Sequence, residues 1–590
     1  MPRLSIDNVN MEVPDGTTIL QAARKAGVRI PTLCYLEGVQ AIGACRVCLV
    51  EVQGAKTLVA SCVMPASEGM KVSTNTARVR DARRSVVELL LSEHEGNCQT
   101  CGRNNDCELQ ALANDLGIRD IGYAGEKHAR IVDDSTPALV RDTAKCILCR
   151  RCVTVCSEIQ GVHALFPQGR GFDTVIGPAF TNNLDSVPCA QCGQCSAVCP
   201  VGAISEQDHI ERVWAALEDP GKHVVVQTAP AIRAALGECF GCAPGTLVTG
   251  KMVSALRRLG FDAVFDTNFT ADLTIMEEGT ELLTRLKNAL VEKKPVALPM
   301  FSSCSPGWVK FLEYFYPDML PNLSTCKSPQ QMFGAIAKTY YAAKLGKRPE
   351  DIYVVSVMPC TAKKFEAQRP EMKSSGVRDV DAVLTTRELG RMIKQSGIEF
   401  MSLPDEAMDA PLGISTGAAD IFANTGGVME AALRTAYEIV TGEPLPFENL
   451  HVNPIAGLQG IKEASVTVAD TLPDWSFLKG ATLHIAVAHG LGNARKLIER
   501  IRSGEANYHF VEIMTCPGGC IGGGGQPRMV SDEIRKARIA AIYREDEGKT
   551  LRKSHENPAV MKIYEEFLVK PLGEKSHHLL HTHYEERDPV

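Results

Sequence analysis

The sequence predicts a multidomain chain, α+β over residues 1–209 and α/β over residues 210–590. Three observations lead there. A length of 590 residues suggests about four domains. Cysteines crowd the first third in short, regularly spaced runs, a pattern of metal sites. Beyond them apolar runs alternate with helical patterns, at Lys222–Ala229, Lys251–Leu259, Asp262–Phe265, Val296–Phe301, Gln330–Leu345 and Ile352–Met358, which argues parallel sheets.

Composition bounds the function. A net charge of −7 argues against nucleic-acid binding and leaves small molecules and protein partners. Hydrophobic content of 45% is ample for real cores. No apolar run reaches about 18 residues, so no membrane span is expected. Met1–Asp7 shows no basic region followed by a long apolar stretch, so no export signal is expected, and the cytoplasm is the expected location. In such a chain 22 cysteines suggest metal sites rather than disulfides.

Residues 1–77 open with strand-like runs, Leu4–Val9 and Met11–Val13, and an amphipathic segment, Thr18–Ala26. Cys34, Cys45, Cys48 and Cys62 follow. Plant-type 2Fe–2S ferredoxins also combine a close Cys-x2-Cys pair with outlying cysteines, although here ten residues precede that pair. The reading is a β-grasp 2Fe–2S ferredoxin-like domain, with a structural zinc site as the alternative. Residues 78–125 carry a helical pattern at Val86–Leu91, then His94-x3-Cys98-x2-Cys101-x5-Cys107. A Cys3His set suits zinc, but iron–sulfur modules on either side tilt it toward iron.

Residues 126–209 hold the strongest local signal. Cys146-x2-Cys149-x2-Cys152-x3-Cys156 is followed by Cys189-x2-Cys192-x2-Cys195-x3-Cys199-Pro200, with Ser157 where a proline would close the first run. This resembles the bacterial two-cluster ferredoxin repeat, in which the fourth cysteine of each run serves the other cluster. Cys146, Cys149, Cys152 and Cys199 are then expected on one cubane, and Cys189, Cys192, Cys195 and Cys156 on the second.

Over residues 210–590, Lys222–Ala229 reads as a strand reaching Pro230, and Ala231–Leu236 as the opening of a helix. Three further strand-like runs each end in cysteine. Lys294–Phe301 leads into Ser302-Ser303-Cys304-Ser305-Pro306-Gly307-Trp308, and Asp351–Met358 into Pro359-Cys360-Thr361-Ala362-Lys363. His509–Met514 leads into Thr515-Cys516-Pro517-Gly518-Gly519-Cys520 and the glycine run at 522–525. In open α/β sheets ligands bind beyond the carboxyl ends of strands, so the three ends predict one site. His489-Gly490-Leu491-Gly492-Asn493-Ala494 echoes a dinucleotide loop without the full glycine pattern, and a plain strand–turn–helix is expected there. Cys239 and Cys242 read as free thiols, and the His577–His583 tail as solvated or a subunit contact.

The three cysteine-bearing segments resemble the signature segments of iron-only (FeFe) hydrogenases, and the similarity extends through nearly the whole chain, toward catalytic subunits of NAD(P)-linked complexes. The resemblance implies a two-lobed catalytic domain and one 4Fe–4S cluster on His94, Cys98, Cys101 and Cys107. With the two-cluster repeat this makes three accessory 4Fe–4S clusters beside one 2Fe–2S cluster. It further implies an H-cluster: a cubane on Cys360, Cys516, Cys520 and a ligand from the 302–305 loop, bridged through Cys520 to a two-iron unit carrying CO, cyanide and an aminodithiolate. Met358, Met514 and Pro230 would shield that unit, and Lys363 would offer hydrogen bonds to a cyanide. Glu278, Glu281, Ser324 and a thiol beside the cluster would relay protons, whereas the bland reading of Met276–Glu281 is a solvated helix face. The implied partners are flavin- and NAD(P)-binding iron–sulfur subunits, with ferredoxin as a further carrier. The alternatives are a stand-alone ferredoxin-dependent hydrogenase and an iron–sulfur relay subunit like the large subunit of NADH dehydrogenase.

One position departs from the pattern. The family has two adjacent cysteines before Pro-Gly-Trp, a proton donor and then a cubane ligand, whereas this chain has Cys304 and then Ser305. Serine oxygen is a harder, less acidic donor than thiolate. Cys326 stands where alanine is expected. The expectation is that Cys304 becomes the fourth ligand and Cys326 the proton donor. The rival keeps Cys304 as donor and lets Ser305 or Cys326 ligate, and a third reading makes Cys326 a small buried hydrophobe.

Overall fold

The computed structural model describes every residue except 125, 128, 129, 529, 589 and 590. The boundary expected at 125–126 therefore falls on a position outside the described residues.

The N-terminal sheet contains β1 (Arg3–Ile6), β2 (Val9–Glu12), β3 (Leu49–Val52), β4 (Val59–Ala60) and β5 (Met70–Ser73), in the order β2-β1-β5-β3-β4. β1 and β5 are parallel and the other pairs antiparallel. With the helix Ile19–Lys25, capped by a Thr18–Gln21 capping box, this is the expected β-grasp. The first strand ends earlier than Val9 because Asp7 and Asn8 take positive φ of 47° and 70°, the geometry of a two-residue hairpin turn.

The helix Ala77–Glu93 then delivers His94 at its end. β6 (Val132–Asp133), β7 (Leu139–Asp142) and the later β10 (Ile204–Glu206) form a three-stranded sheet, and β8 (Phe166–Gln168) and β9 (Val175–Gly177) form a hairpin.

The remaining strands are β11 (His223–Thr228), β12 (Ala263–Asp266), β13 (Met300–Phe301), β14 (Ile352–Met358), β15 (Ala382–Thr385), β16 (Ile461–Thr467), β17 (Thr482–His489) and β18 (Phe510–Met514). They form two four-stranded sheets, the two expected lobes. The order β12-β11-β14-β15 is wholly parallel. In β13-β18-β17-β16 only the edge strand β16 is antiparallel.

Three expectations need correction. The strand expected over Lys294–Phe301 shrinks to two residues, because Pro295 and Pro299 lack the N–H that a ladder needs. Ala231–Leu236 is no helix: 3₁₀ turns occupy Pro230–Ile232 and Leu236–Phe240, and Gly237 and Gly241 disfavour anything longer. The histidine tail is not solvated throughout. Helix Glu574–Leu580 buries Ser576, Leu579 and Leu580, and the next residue, His581, is buried in an isolated bridge to Cys326.

After β17 the chain turns into helix Leu491–Arg502, the expected strand–turn–helix. Gly492 is needed there for packing, since a side chain would meet the Ile159 carbonyl at 2.9 Å.

Candidate functional site

None of the 22 cysteines is in a disulfide, and most gather in sets. Cys34 lies within hydrogen-bonding reach of Cys45 and Cys62, and Cys48 Sγ is 3.4 Å from Cys62 Sγ. Buried His94 is held below its usual pKa by desolvation, and its Nδ1 has no hydrogen-bond partner among the described residues. A neutral imidazole with a free ring nitrogen suits a metal-ligand role. Cys146, Cys149, Cys152 and Cys199 line one common cavity. Cys156 faces Cys189, and both lie close enough to Cys195 to perturb its thiol. The structure thus brings together the crossed sets written in the repeat, and these donor sets fit iron–sulfur clusters.

The two-cluster segment meets the cysteine-bearing loops after β14 and β18 directly. After desolvation, the largest influence on Cys192 is Cys516. Gln194 Nε2 donates to the Gly522 carbonyl at 2.9 Å, and Thr361 Oγ1 to the Gln191 carbonyl at 2.8 Å. Gly524 permits this approach, because a side chain there would collide with backbone of Cys192 and Gly193. Gly518 and Gly519, at φ +82° and +92°, make the turn between Cys516 and Cys520. Glu206 on β10 locks the arrangement from below, accepting from Arg387 at 2.7 Å, Arg391 at 2.9 Å and Arg528 at 3.2 Å.

Cys360, Cys516 and Cys520 converge beyond β14 and β18, Cys516 buried and the other two half-buried, and desolvation is the first cause raising each thiol. Met358 and Met514 close the strand ends, each 2% exposed, and Pro230 is buried at the end of β11. Lys363 Nζ donates to the Cys304 carbonyl at 3.0 Å and pairs with Glu366 at 2.9 Å. Cys304 is half-buried, with Glu278, Cys520 and Lys363 as its main ionisable neighbours. Ser305 Oγ lies 2.7 Å from Thr515 Oγ1 and accepts the Thr515 N–H at 3.3 Å.

The carboxylate run is not a solvated face. Glu277, Glu278 and Glu281 are 0%, 3% and 7% exposed, because helix Thr267–Leu290 runs through the core. Burial, then Glu281, pushes Glu278 up to about 8, against hydrogen bonds from Ser324 and the Ser303 N–H. Ser324 Oγ donates to Glu281 Oε2 at 3.1 Å, and Arg285 donates to Oε1 at 2.6 Å.

The two thiols expected to share ligation and proton donation lie in different surroundings. Cys326 Sγ lies 3.9 Å from Glu281 Oε2 and 4.0 Å from His581 Nδ1, farther along the carboxylate run, while Cys304 faces both Glu278 and Cys520. Sequence reasoning missed Arg285, Thr515, Glu277 and His581. Arg285, four residues after Glu281, carried a readable i,i+4 signal; the others are set by tertiary contacts alone. Cys242 Sγ sits 3.3 Å from Met401 Sδ, outside these sets.

Residues 222–524 match the description "iron only hydrogenase large subunit, C-terminal domain", and residues 532–587 match "iron hydrogenase small subunit". The chain belongs to the iron-only hydrogenase family. Its N-terminal part matches a 2Fe-2S iron-sulfur cluster binding domain (2–77), an NADH-ubiquinone oxidoreductase-G iron-sulfur binding region (83–121) and a 4Fe-4S dicluster domain (145–203). The chain is 54% identical to the NADP-reducing hydrogenase subunit HndD of Solidesulfovibrio fructosivorans, over 100% of this chain and 99% of that protein. It is 41% identical to iron hydrogenase 1 of Clostridium pasteurianum, over 99% of this chain and 100% of that protein. The solved [FeFe]-hydrogenase HydA1 of Chlamydomonas reinhardtii superposes with a TM-score of 0.58 at 48% identity, covering 64% of this chain and 99% of that one. This iron-only hydrogenase therefore combines a catalytic domain with 2Fe–2S and 4Fe–4S modules.

Proposed function

We propose that this chain oxidises dihydrogen, and in reverse forms it, as the catalytic subunit of a cytoplasmic NAD(P)-linked complex. Full-length similarity to a subunit named NADP-reducing supports the complex, with flavin- and NAD(P)-binding iron–sulfur partners and ferredoxin as a further carrier. The division is 1–77, 78–125, 126–209 and 210–590, holding one 2Fe–2S cluster, three accessory 4Fe–4S clusters and an H-cluster. Cys34, Cys45, Cys48 and Cys62 would hold the first. His94, Cys98, Cys101 and Cys107 would hold the next, and the two crossed sets of the repeat the remaining cubanes.

Cys360, Cys516 and Cys520 would hold the catalytic cubane, with the Ser305 hydroxyl in the fourth position. When bound, the H-cluster supplies the metal centre at which dihydrogen is split heterolytically. The protein's own work is proton movement and water exclusion. Glu278, which burial keeps protonated below about pH 8, would donate its proton to Cys304 once that thiol has given up its own, and would take it back in the reverse direction. Ser324 connects Glu278 to Glu281, and Arg285 holds Glu281 at the far end. Met358, Met514 and Pro230 keep the pocket dry, and Lys363 places a cation beside Cys304, Cys360 and Cys520.

The observation that carries this reading is the place of Cys304, near enough to both Glu278 and Cys520 to be perturbed by each. Infrared spectra of the matured chain test it, with bands of metal-bound CO and cyanide expected. Their absence from protein with full iron content would leave the electron-relay reading, which the match over residues 83–121 favours.

A further inference from the structure

At the outer end of the proposed proton relay lies a set of donors that shares only Glu281 with it. Glu281, Cys326 and His581 come from helix Thr267–Leu290, the loop after Leu323 and the C-terminal tail. Their ligand atoms all lie within 4.8 Å of one another. All three residues are buried, at 7%, 0% and 6% exposure. We infer that Glu281, Cys326 and His581 form a binding site for one divalent cation of the zinc class.

The spacing is close to that of a bound ion. Zinc bonds of about 2.3 Å to sulfur and about 2.0–2.1 Å to nitrogen and oxygen put tetrahedral S···N and S···O pairs about 3.5 Å apart. The observed 3.9 and 4.0 Å need a contraction of about half an ångström. The Cys326 thiol makes long contacts to Glu281 and His581 and one to the Ser324 hydroxyl, weak partners that an ion would replace with a metal–sulfur bond. One thiolate and one carboxylate balance a double charge. The thiol proton leaves to water as the metal–sulfur bond forms. Sulfur and imidazole select a borderline-soft ion over magnesium or calcium.

The outer contacts point the same way. His581 Nε2 lies 3.2 Å from Glu277 Oε2. Glu277 also accepts from Tyr564 Oη at 2.6 Å, from the Leu572 N–H at 2.8 Å and from Ser576 Oγ. An ionised Glu277 places the imidazole proton on Nε2 and leaves the Nδ1 lone pair facing Glu281 and Cys326. That carboxylate–histidine pair is the arrangement that orients metal-binding histidines. The Thr325 hydroxyl, 2.8 Å from Nδ1 and 3.1 Å from Glu281 Oε2, yields its place or becomes the fourth donor. Exposed His577 stacks on His581 at 4.7 Å between centroids and marks the way in. The consequence rests on the relay proposed above: an ion on Glu281 removes the relay's outer carboxylate and slows turnover.

The test uses the full chain, purified anaerobically with its clusters, given one equivalent of zinc chloride and desalted. Zinc per chain is measured by mass spectrometry, and its ligands by zinc K-edge X-ray absorption, where iron does not interfere. One zinc per chain is expected, with a single sulfur and the rest nitrogen and oxygen. Cys326→Ser removes the sulfur shell. His581→Gln lowers affinity at least tenfold, and Glu277→Gln lowers it roughly 10- to 100-fold. Iron content and circular dichroism confirm that each variant is folded. Failure of the unmodified chain to retain zinc, or a shell with no sulfur or several, overturns the site without any variant. Zinc bound as described, with dye-linked hydrogen turnover unchanged, leaves the site and refutes the relay role of Glu281.

Discussion

Ser305 Oγ and Thr515 Oγ1 stand 2.7 Å apart, tying the loop after β13 to the residue immediately before Cys516. In the proposed site this hydroxyl would take the place of a fourth thiolate on the cubane.

Replacing that hydroxyl should strengthen the cluster. Ser305→Cys is expected to raise retained iron and to suppress the three-iron EPR signal that mild oxidation produces. Loss of the Thr515 bond costs about 1 kcal/mol of stability. An unchanged EPR response to oxidation would remove Ser305 from the cluster.

Glu278→Gln should lower dye-linked hydrogen turnover roughly 10²- to 10⁴-fold with iron content intact. The sign of its pH linkage follows from burial. Its folded pKa of about 8 lies above the unfolded value of about 4.3. The folded state therefore holds a proton that the unfolded state has lost, and stability falls as pH rises between those values. Melting temperatures from pH 5 to 8 should fall less steeply in Glu278→Gln; an identical slope would argue against a neutral buried acid.

His94→Cys should keep a cluster and move its midpoint to more negative potential, on the order of 100 mV, because thiolate adds negative charge. Redox-titrated EPR of the full chain reads this directly. A midpoint that stays put would take His94 off the iron.

Glu206→Ala should loosen the wire from the catalytic domain. It leaves three buried or half-buried guanidinium groups without their shared carboxylate, a change worth about 3–5 kcal/mol. Thermal melts and limited proteolysis of the two-cluster segment should show the loss, and wild-type resistance would make the ion cluster decorative.

The purified chain by itself should reduce a viologen dye with hydrogen but not NAD(P)+. Coenzyme reduction without partner subunits would refute the proposed division of labour.

Much of this protein was legible in the sequence because cluster ligands are local. Cys146 to Cys156 and Cys189 to Cys199 declare their chemistry by spacing, and the glycine loop around Cys516 and Cys520 declares its own. Strands ending in cysteine likewise located the catalytic pocket, since parallel strands deliver their loops to one edge. What the tertiary structure decided is which side chains face each other across long separations. The Met276–Glu281 run reads as solvated by composition, yet the packing of a whole domain around its helix buries its three carboxylates. Cys304 and Cys326 are equivalent in sequence terms, and only packing sends one to Glu278 and the other to Glu281. His581 lies 255 residues from Cys326 and reaches it through the docking of the C-terminal helix. No local pattern encodes such a contact, because burial and protonation there depend on apolar surfaces that meet only once the chain has folded.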